Sequence, residues 1–182
     1  MTMKRLFIVS LFCLLAVPSV AQKFDCKEDW GKAKMPTGSI ICVDFDYSLS
    51  SICGMPVADY VEFHESFMQD KAEAEQRFYE MFIKTLYGGE NKVSAGRLRV
   101  TKDAGKANYV LHIMPYRINE NGDFSGVAKI EDLEGNVVAS FHRVTAKGGR
   151  FGSFVNLMGD GYESLAEGLA DYIGYGLSKG KL

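Results

Sequence analysis

Between Asn108 and Ala146 the chain alternates apolar and polar residues in three successive runs, each closed by a turn signal. Asn108–Asn119 sets Tyr109, Leu111 and Ile113 against Val110, His112, Met114 and Tyr116. Asn121-Gly122 follows, a pair that accepts the positive φ angles of a tight hairpin. Phe124–Glu131 is the next run, Leu133-Glu134-Gly135-Asn136 turns again, and Val137–Ala146 returns. A period of two sends successive side chains to opposite faces. This stretch therefore predicts an antiparallel meander with an apolar face that another layer must cover. The register of the last hairpin stays open, because two-residue and three-residue turns fit nearly equally and a one-residue slip exchanges its faces.

The flanks supply that layer. Ser39–Tyr47 predicts a first strand, with Ile41, Val43, Phe45 and Tyr47 on one face and Ile40 and Cys42 on the other. Apolar residues on both faces point to a central strand with some cover above and below. Ser48–Pro56 reads as a loop. Val57–Tyr87 is helical: Tyr60, Phe63, Phe67, Ala74, Phe78, Met81, Phe82 and Leu86 recur at helical spacing, with a break near Ser66 and a stop at Gly88-Gly89. Arg97–Thr101 is a short strand. Lys147–Gly161 reads as a glycine-rich loop and Tyr162–Leu177 as a closing helix, with Asp160 as its N-cap and Leu165, Leu169, Ile173 and Leu177 as its stripe. Gly168, Gly174 and Gly176 weaken that helix by themselves, and fit it where it passes too close to the sheet for a Cβ. The expected fold is a single α+β domain: strand and helix, then an antiparallel meander of three to four strands, then a C-terminal helix packed on the sheet. The two helices share one face or lie on opposite faces.

The start of the chain bears on location. Lys4-Arg5 precedes an apolar run of about 12 residues, Leu6–Val17, followed by Pro18 and the small-residue exit Ser19-Val20-Ala21. That is the pattern of a bacterial secretory signal peptide. The run is shorter than the roughly 20 residues of a spanning helix. Cleavage near Gln22 is expected, whereas a lipid anchor on Cys13 is disfavoured by bulky Phe12. The expected division is 1–21 signal peptide, 22–38 polar N-terminal arm pinned by Trp30, and 39–182 one domain. The mature chain, about 161 residues, is expected in the periplasm, at the outer surface or in the medium, with no transmembrane segment. A net charge of −2 and the lack of a basic stripe with interleaved aromatics argue against nucleic acid as a partner. An oxidising compartment permits one disulfide among Cys26, Cys42 and Cys53, and Cys26–Cys53 is the expected pair because Cys42 sits inside an apolar strand.

Of the residues that carry chemistry, the segment Lys147-Gly148-Gly149-Arg150-Phe151-Gly152-Ser153 stands out. Glycines let backbone amides turn toward an anion, and Lys147 and Arg150 add charge. The ligand-binding candidates are Lys147, Gly148, Gly149, Arg150, Gly152 and Ser153. The bulky Phe151 and Phe154 beside them are candidates for a partner or membrane-surface contact. His112 and His142 fall on neighbouring strands of a simple meander, with Ser140 and Thr145 nearby, yet no nucleophile elbow accompanies them. Asp44, Asp46, Glu131 and Asp132 lie at strand ends, where carboxylates more often keep a strand end soluble than bind calcium. Cys53 is a further nucleophile candidate, although a disulfide partner or an idle thiol is the commoner role. No catalytic residue, metal site or cofactor is expected.

Ala107-Asn-Tyr-Val-Leu-His-Ile113, Asn121-Gly122, Gly126-Val-Ala-Lys-Ile-Glu-Asp132, Gly135-Asn-Val-Val138 and Gly168-Leu-Ala-Asp-Tyr-Ile173 together resemble small exported α/β domains of bacterial envelopes. These include the N-terminal domain of TolB and uncharacterised lipoprotein-like families with an anticodon-binding-like fold. The long stretch from Tyr60 to Leu86 departs from the short first helix of that pattern. The resemblance implies an exported, non-enzymatic envelope protein that binds a protein or glycan of the envelope. The alternatives are a small-ligand or anion-binding protein using residues 147–153 and, third, a hydrolase.

Overall fold

The computed structural model describes residues 23–182, so the expected signal peptide and Cys13 lie outside the described residues. The elements run β1 (Phe24–Trp30), β2 (Ser39–Phe45), β3 (Ser51–Ile52), β4 (Met55–Pro56), α1 (Val57–Phe63), α2 (Phe67–Gly88), β5 (Leu98–Thr101), β6 (Tyr109–Ile118), β7 (Phe124–Asp132), β8 (Val137–Ala146) and α3 (Phe154–Ser178). One mixed sheet orders its strands β1-β8-β7-β6-β2-β5, and the β3–β4 hairpin attaches to the end of β6. The meander β6–β7–β8 is antiparallel as expected, while β2 runs parallel to both β5 and β6. The domain is α+β, with α3 packed on the sheet.

Both long helices share one face. Phe45 of β2 meets Phe78 of α2 edge-on at 5.2 Å and stacks on Tyr162 of α3 at 5.5 Å. Ile41, Leu111, Ile113, Ile130 and Phe141 point to the same side and are fully buried. Neither long helix lies on the far face of β2, although Cys42 there is buried and Ile40 half-buried. The far side of β2 and its neighbours instead carries Asp44, His112, Lys129 and Glu131. The last hairpin settles at Ala128↔Phe141 and Ile130↔Ala139, which sends its apolar set toward the helices. Asp132 closes its loop by accepting from the Asn136 N–H at 2.9 Å.

Three expectations are corrected. Residues 22–38 are not all an arm, because Phe24–Trp30 extends the sheet as an edge strand against β8. Its inward residues are Phe24, Cys26, Glu28 and Trp30, a mixed set that masks the alternation. Trp30 does pin the segment, edge-on to Phe141 at 6.0 Å. The loop from Ser48 to Pro56 contains the β3–β4 hairpin, turned by Cys53 (φ 49°) and Gly54 (φ 85°). Finally, α3 starts at Phe154, eight residues earlier than expected, so Gly159, Asp160 and Gly161 are helical and Ser153 is the N-cap. The break in the long helix falls at 64–66, between α1 and α2.

The glycines of α3 are explained by what they pass. A Cβ on Gly161 would enter the carbonyl of Gly122, one on Gly168 the Phe24 ring, and one on Gly176 the Trp30 ring. Close approach, rather than looseness, requires glycine at these positions.

Candidate functional site

A cleft of about 1000 Å³ opens at the end of the sheet where β8 leaves and α3 begins. One wall is the loop Lys147–Arg150, another is the β6–β7 turn at Asn121 and Asp123, and the floor is the first half of α3. Three backbones meet beside it. Gly122 packs against Leu157, and both Gly148 and Gly161 pack against the turn that holds Gly122, each too closely to admit a Cβ. The glycines at 148 and 161 thus bring loop, turn and helix together.

Several of the charges at the cleft are paired from within the chain. Asp123 Oδ1 accepts from the Gly148 N–H at 2.9 Å, and its Oδ2 accepts from Asn119 Nδ2 at 3.1 Å and Lys147 Nζ at 3.4 Å. The chain's own carboxylate therefore occupies the place that an external anion would take between the Gly148 amide and Lys147. Arg77 of α2 donates to two carboxylates of the α3 floor, to Asp160 Oδ1 at 2.6 Å and to Glu163 Oε1 at 2.8 Å. Arg77, Asp123 and Glu163 were not singled out from sequence, and Asp160 only as a helix N-cap. The i, i+3 spacing of Asp160 and Glu163 becomes a signal only once the helix is known to include both.

The remaining predicted residues separate. Gly149 sits against Leu157 and donates its N–H to the Leu157 carbonyl at 3.1 Å. Arg150 is exposed on the rim. Gly152 adopts φ 127°, a conformation that suits glycine, and Ser153 caps α3 with its backbone only. Phe151 is 90% exposed, whereas Phe154 turns inward to the Tyr60 ring at 6.1 Å. The two aromatic candidates do not act as one surface.

Among the described residues Cys26, Cys42 and Cys53 are all free, which corrects the Cys26–Cys53 pairing. Cys26 is on β1 and Cys53 follows β3, with β8, β7 and β6 between them. At about 4.8 Å per strand step the gap is on the order of 19 Å, against a Cα–Cα limit of about 7 Å. Burial pushes the Cys26 thiol up to about 12, helped by Glu28. Desolvation also raises the Cys53 thiol, partly offset by the Tyr60 hydroxyl. Both sulfurs are thus disfavoured as thiolates.

His112 and His142 are not on neighbouring strands, because β7 runs between β6 and β8. His112 Nδ1 lies 3.0 Å from Asp44 Oδ2 and its Nε2 lies 3.4 Å from Glu131 Oε2. His64 stacks on Tyr60 at 4.1 Å. The carboxylates considered for calcium are engaged locally: Asp44 with His112, Asp46 with the Ser48 N–H, Glu131 with Lys129, and Asp132 with its own turn. Among the described residues no group of three His, Cys, Asp or Glu side chains is arranged to hold a metal ion.

Asp123 gives the cleft a pH dependence. Burial alone would raise its pKa, but the Gly148 amide, Asn119 and Lys147 together outweigh that and lower it. A folded-state pKa below the unfolded value of about 3.9 contributes stability that is complete above that value and disappears as pH falls through the lower one. Asp123→Asn is expected to flatten the acid limb of a plot of urea midpoint against pH below about 4. A variant curve parallel to wild type through that range would show that Asp123 holds nothing.

No known protein family matches the chain, and no curated protein matches its sequence. Among solved structures, a PelC dodecamer from Paraburkholderia phytofirmans is similar in two crystal forms. The identities are 14% and 13% and the TM-scores 0.38 and 0.39; each match covers 81% of this chain and 95% of that one. Protein XCC0632 from Xanthomonas campestris, described under DUF330, is 8% identical with a TM-score of 0.42, covering 85% of this chain and 94% of its own. Similarities of this size assign the chain to no family and to no activity.

Proposed function

We propose that this is an exported, non-enzymatic protein of the bacterial envelope that holds a protein or glycan component of that envelope in the cleft beside Lys147–Arg150. The leader pattern of residues 1–21 supports export, and the resemblance to TolB N-terminal-like domains supports a binding role. The observation that carries the cleft assignment is its charge balance. Arg77 and Lys147 are already neutralised from within by Asp160, Glu163 and Asp123. What remains is a trough edged by the Asn121 amide, the Ser164 hydroxyl and side chains of both charges, Lys23, Arg150 and Glu167, a mixed lining that suits the amides of a chain or the hydroxyls of a sugar better than one compact charge. The alternative of a small anion at residues 147–153 is less favoured, because Asp123 fills the position where that anion would sit.

The test is affinity capture from the native envelope with immobilised protein, in parallel with Glu167→Trp. Glu167 is exposed on α3 and lines the cleft, so the indole fills the trough without entering the core. A component captured by wild type is expected to drop at least about tenfold with the variant, the loss of one well-buried contact. Equal capture by both proteins, or capture no greater than by bare matrix, would refute the assignment.

A further inference from the structure

Strict alternation along β6 and β8 would bury two arginines. In β6 the buried residues Ile113 and Pro115 set the inward face, so Arg117 would be the next to point in. In β8 the fully buried Phe141 sets it, so Arg143 would follow. A β-bulge in each strand prevents this. The β6 register shifts between Pro115 and Arg117, which leaves Tyr116 and Arg117 both exposed and returns Ile118 to the core. Between Ala128 and Gly126 of β7, β8 advances from Phe141 to Val144, one residue more than its partner. His142 and Arg143 are then both exposed and Val144 is fully buried. Arg143 takes φ 53° at this bulge, a left-handed conformation that is unfavourable for a long side chain. Such bulges re-aim side chains, and these two turn both arginines to the outer face of the sheet.

The strand register joins the two bulges into one surface. Arg117 of β6 pairs with Ser125 of β7, and Ser125 pairs with Thr145 of β8. Arg143 precedes Val144, which pairs with Gly126 beside Ser125. The arginines therefore flank β7 from its two sides, with two strand spacings, about 10 Å, between their backbones. Tyr116, Ser125, His142 and Thr145 share the patch. Farther along the same face the charges are paired: His112 with Asp44, and Lys129 with Glu131. Among the described residues Arg117 and Arg143 have no carboxylate within ion-pair distance. The other carboxylates of this face, Asp25 and Asp29, alternate with Lys27 along the edge strand β1.

The chemistry of the patch selects its occupant. β6, β7 and β8 are interior strands, each paired on both sides, so their backbone groups are used within the sheet. A ligand here meets side chains only, which disfavours an extended peptide held by main-chain hydrogen bonds. Two unpaired guanidinium forks match carboxylates. The Ser125 and Thr145 hydroxyls both donate and accept, as sugar hydroxyls do. The Tyr116 ring, 50% exposed, offers an apolar face beside them. The surface is open rather than walled, so one small anion stays largely hydrated on it. A chain that repeats its acidic group engages both arginines at once, and the second contact forms at high effective concentration.

We infer that the outer face of β6–β8 binds an acidic polysaccharide. Arg117 and Arg143 each take a carboxylate of the polymer, and Tyr116 lies against a sugar ring between hydroxyl contacts to Ser125 and Thr145. This surface is separate from the cleft, whose floor is α3 on the other side of the sheet, and it does not depend on what the cleft holds.

Titration calorimetry with polygalacturonate tests it, with neutral dextran and with polyglutamate as references. Wild type and variants are purified in the same processed form. Wild type is expected to bind polygalacturonate, to bind polyglutamate more weakly and dextran not at all, and to lose affinity as salt is added. Arg117→Gln with Arg143→Asn is expected to weaken binding at least about tenfold; asparagine is used at 143 because it tolerates the left-handed backbone. Lys92→Gln with Lys106→Gln removes the same charge from exposed positions elsewhere and is expected to leave the affinity unchanged. Glu167→Trp, which fills the cleft, binds the polymer like wild type. Absence of binding to polygalacturonate, equal affinity for polyglutamate, or unchanged affinity in the double arginine variant would each overturn the inference. So would an equal loss in the double lysine variant or in Glu167→Trp. All substituted side chains are exposed, and circular dichroism checks that each variant is folded.

Discussion

Gly161→Val is expected to destabilise the domain by about 3 kcal/mol, which for a domain of this size lowers the melting temperature by roughly 6–12 °C. A Cβ at position 161 would collide with the backbone carbonyl of Gly122, and the backbone around Gly122 is itself pressed against Leu157. A side chain can rotate away from such a clash. Here the obstacle is main chain in a turn whose Gly122 has φ 73°, fixed by the Gly122 N–H donating to the Asn119 carbonyl at 2.9 Å. The usual gain from replacing a helical glycine, about 1 kcal/mol for alanine, is therefore outweighed. Gly88→Ala is the control: its position at the end of α2 has open space around it, so its effect should stay within a few tenths of a kcal/mol. Equal urea midpoints for the two variants would show that the three-backbone contact has been misread.

Phe24→Ala is expected to cost about 3–4 kcal/mol in urea unfolding. Phe24 is nearly buried, and its ring lies over Gly168 and 5.8 Å from Tyr172. Removing the ring leaves a void that helical glycine cannot fill, since Gly168 has no side chain to move inward. This result discriminates between a strand and an arm. An arm at residues 22–38 would lose almost nothing, whereas a strand sealed by its aromatics loses a substantial share of a net stability of about 5–15 kcal/mol. Asp29→Ala, in the same strand but facing outward, is expected to change stability by less than about 0.5 kcal/mol. Similar midpoints for Phe24→Ala and wild type would mean that β1 contributes no core.

The candidate site was only half legible. Lys147–Arg150 was recognisable from its glycines and cations, and those residues do border the cleft. Their use was not recognisable, because Asp123 comes 24 residues before Lys147 and nothing local links the two. Phe151 and Phe154 looked equivalent in sequence. Once α3 starts at Phe154, that residue is fixed on the helix and turned toward Tyr60, while Phe151 stays on the loop.

The amino-acid order alone determined the elements whose signals are local. The three meander strands follow from period-two alternation and the Asn121-Gly122 turn. The α1–α2 pair and its break near Ser66 follow from helical spacing. Each depends on residues within about a dozen positions of one another, so the pattern can be read along the chain. Tertiary contact decided the rest. Phe24–Trp30 is a strand because β8 offers it an edge, and residues 154–161 are helical because their glycines let the helix pass Arg77 and the Gly122 turn at backbone distance. Both helices share one face because Phe45, Phe78 and Tyr162 pack there as a group. Hydrogen-bond partners and close approaches between distant segments supplied the deciding free energy in each case, and weak local preference gave way to them.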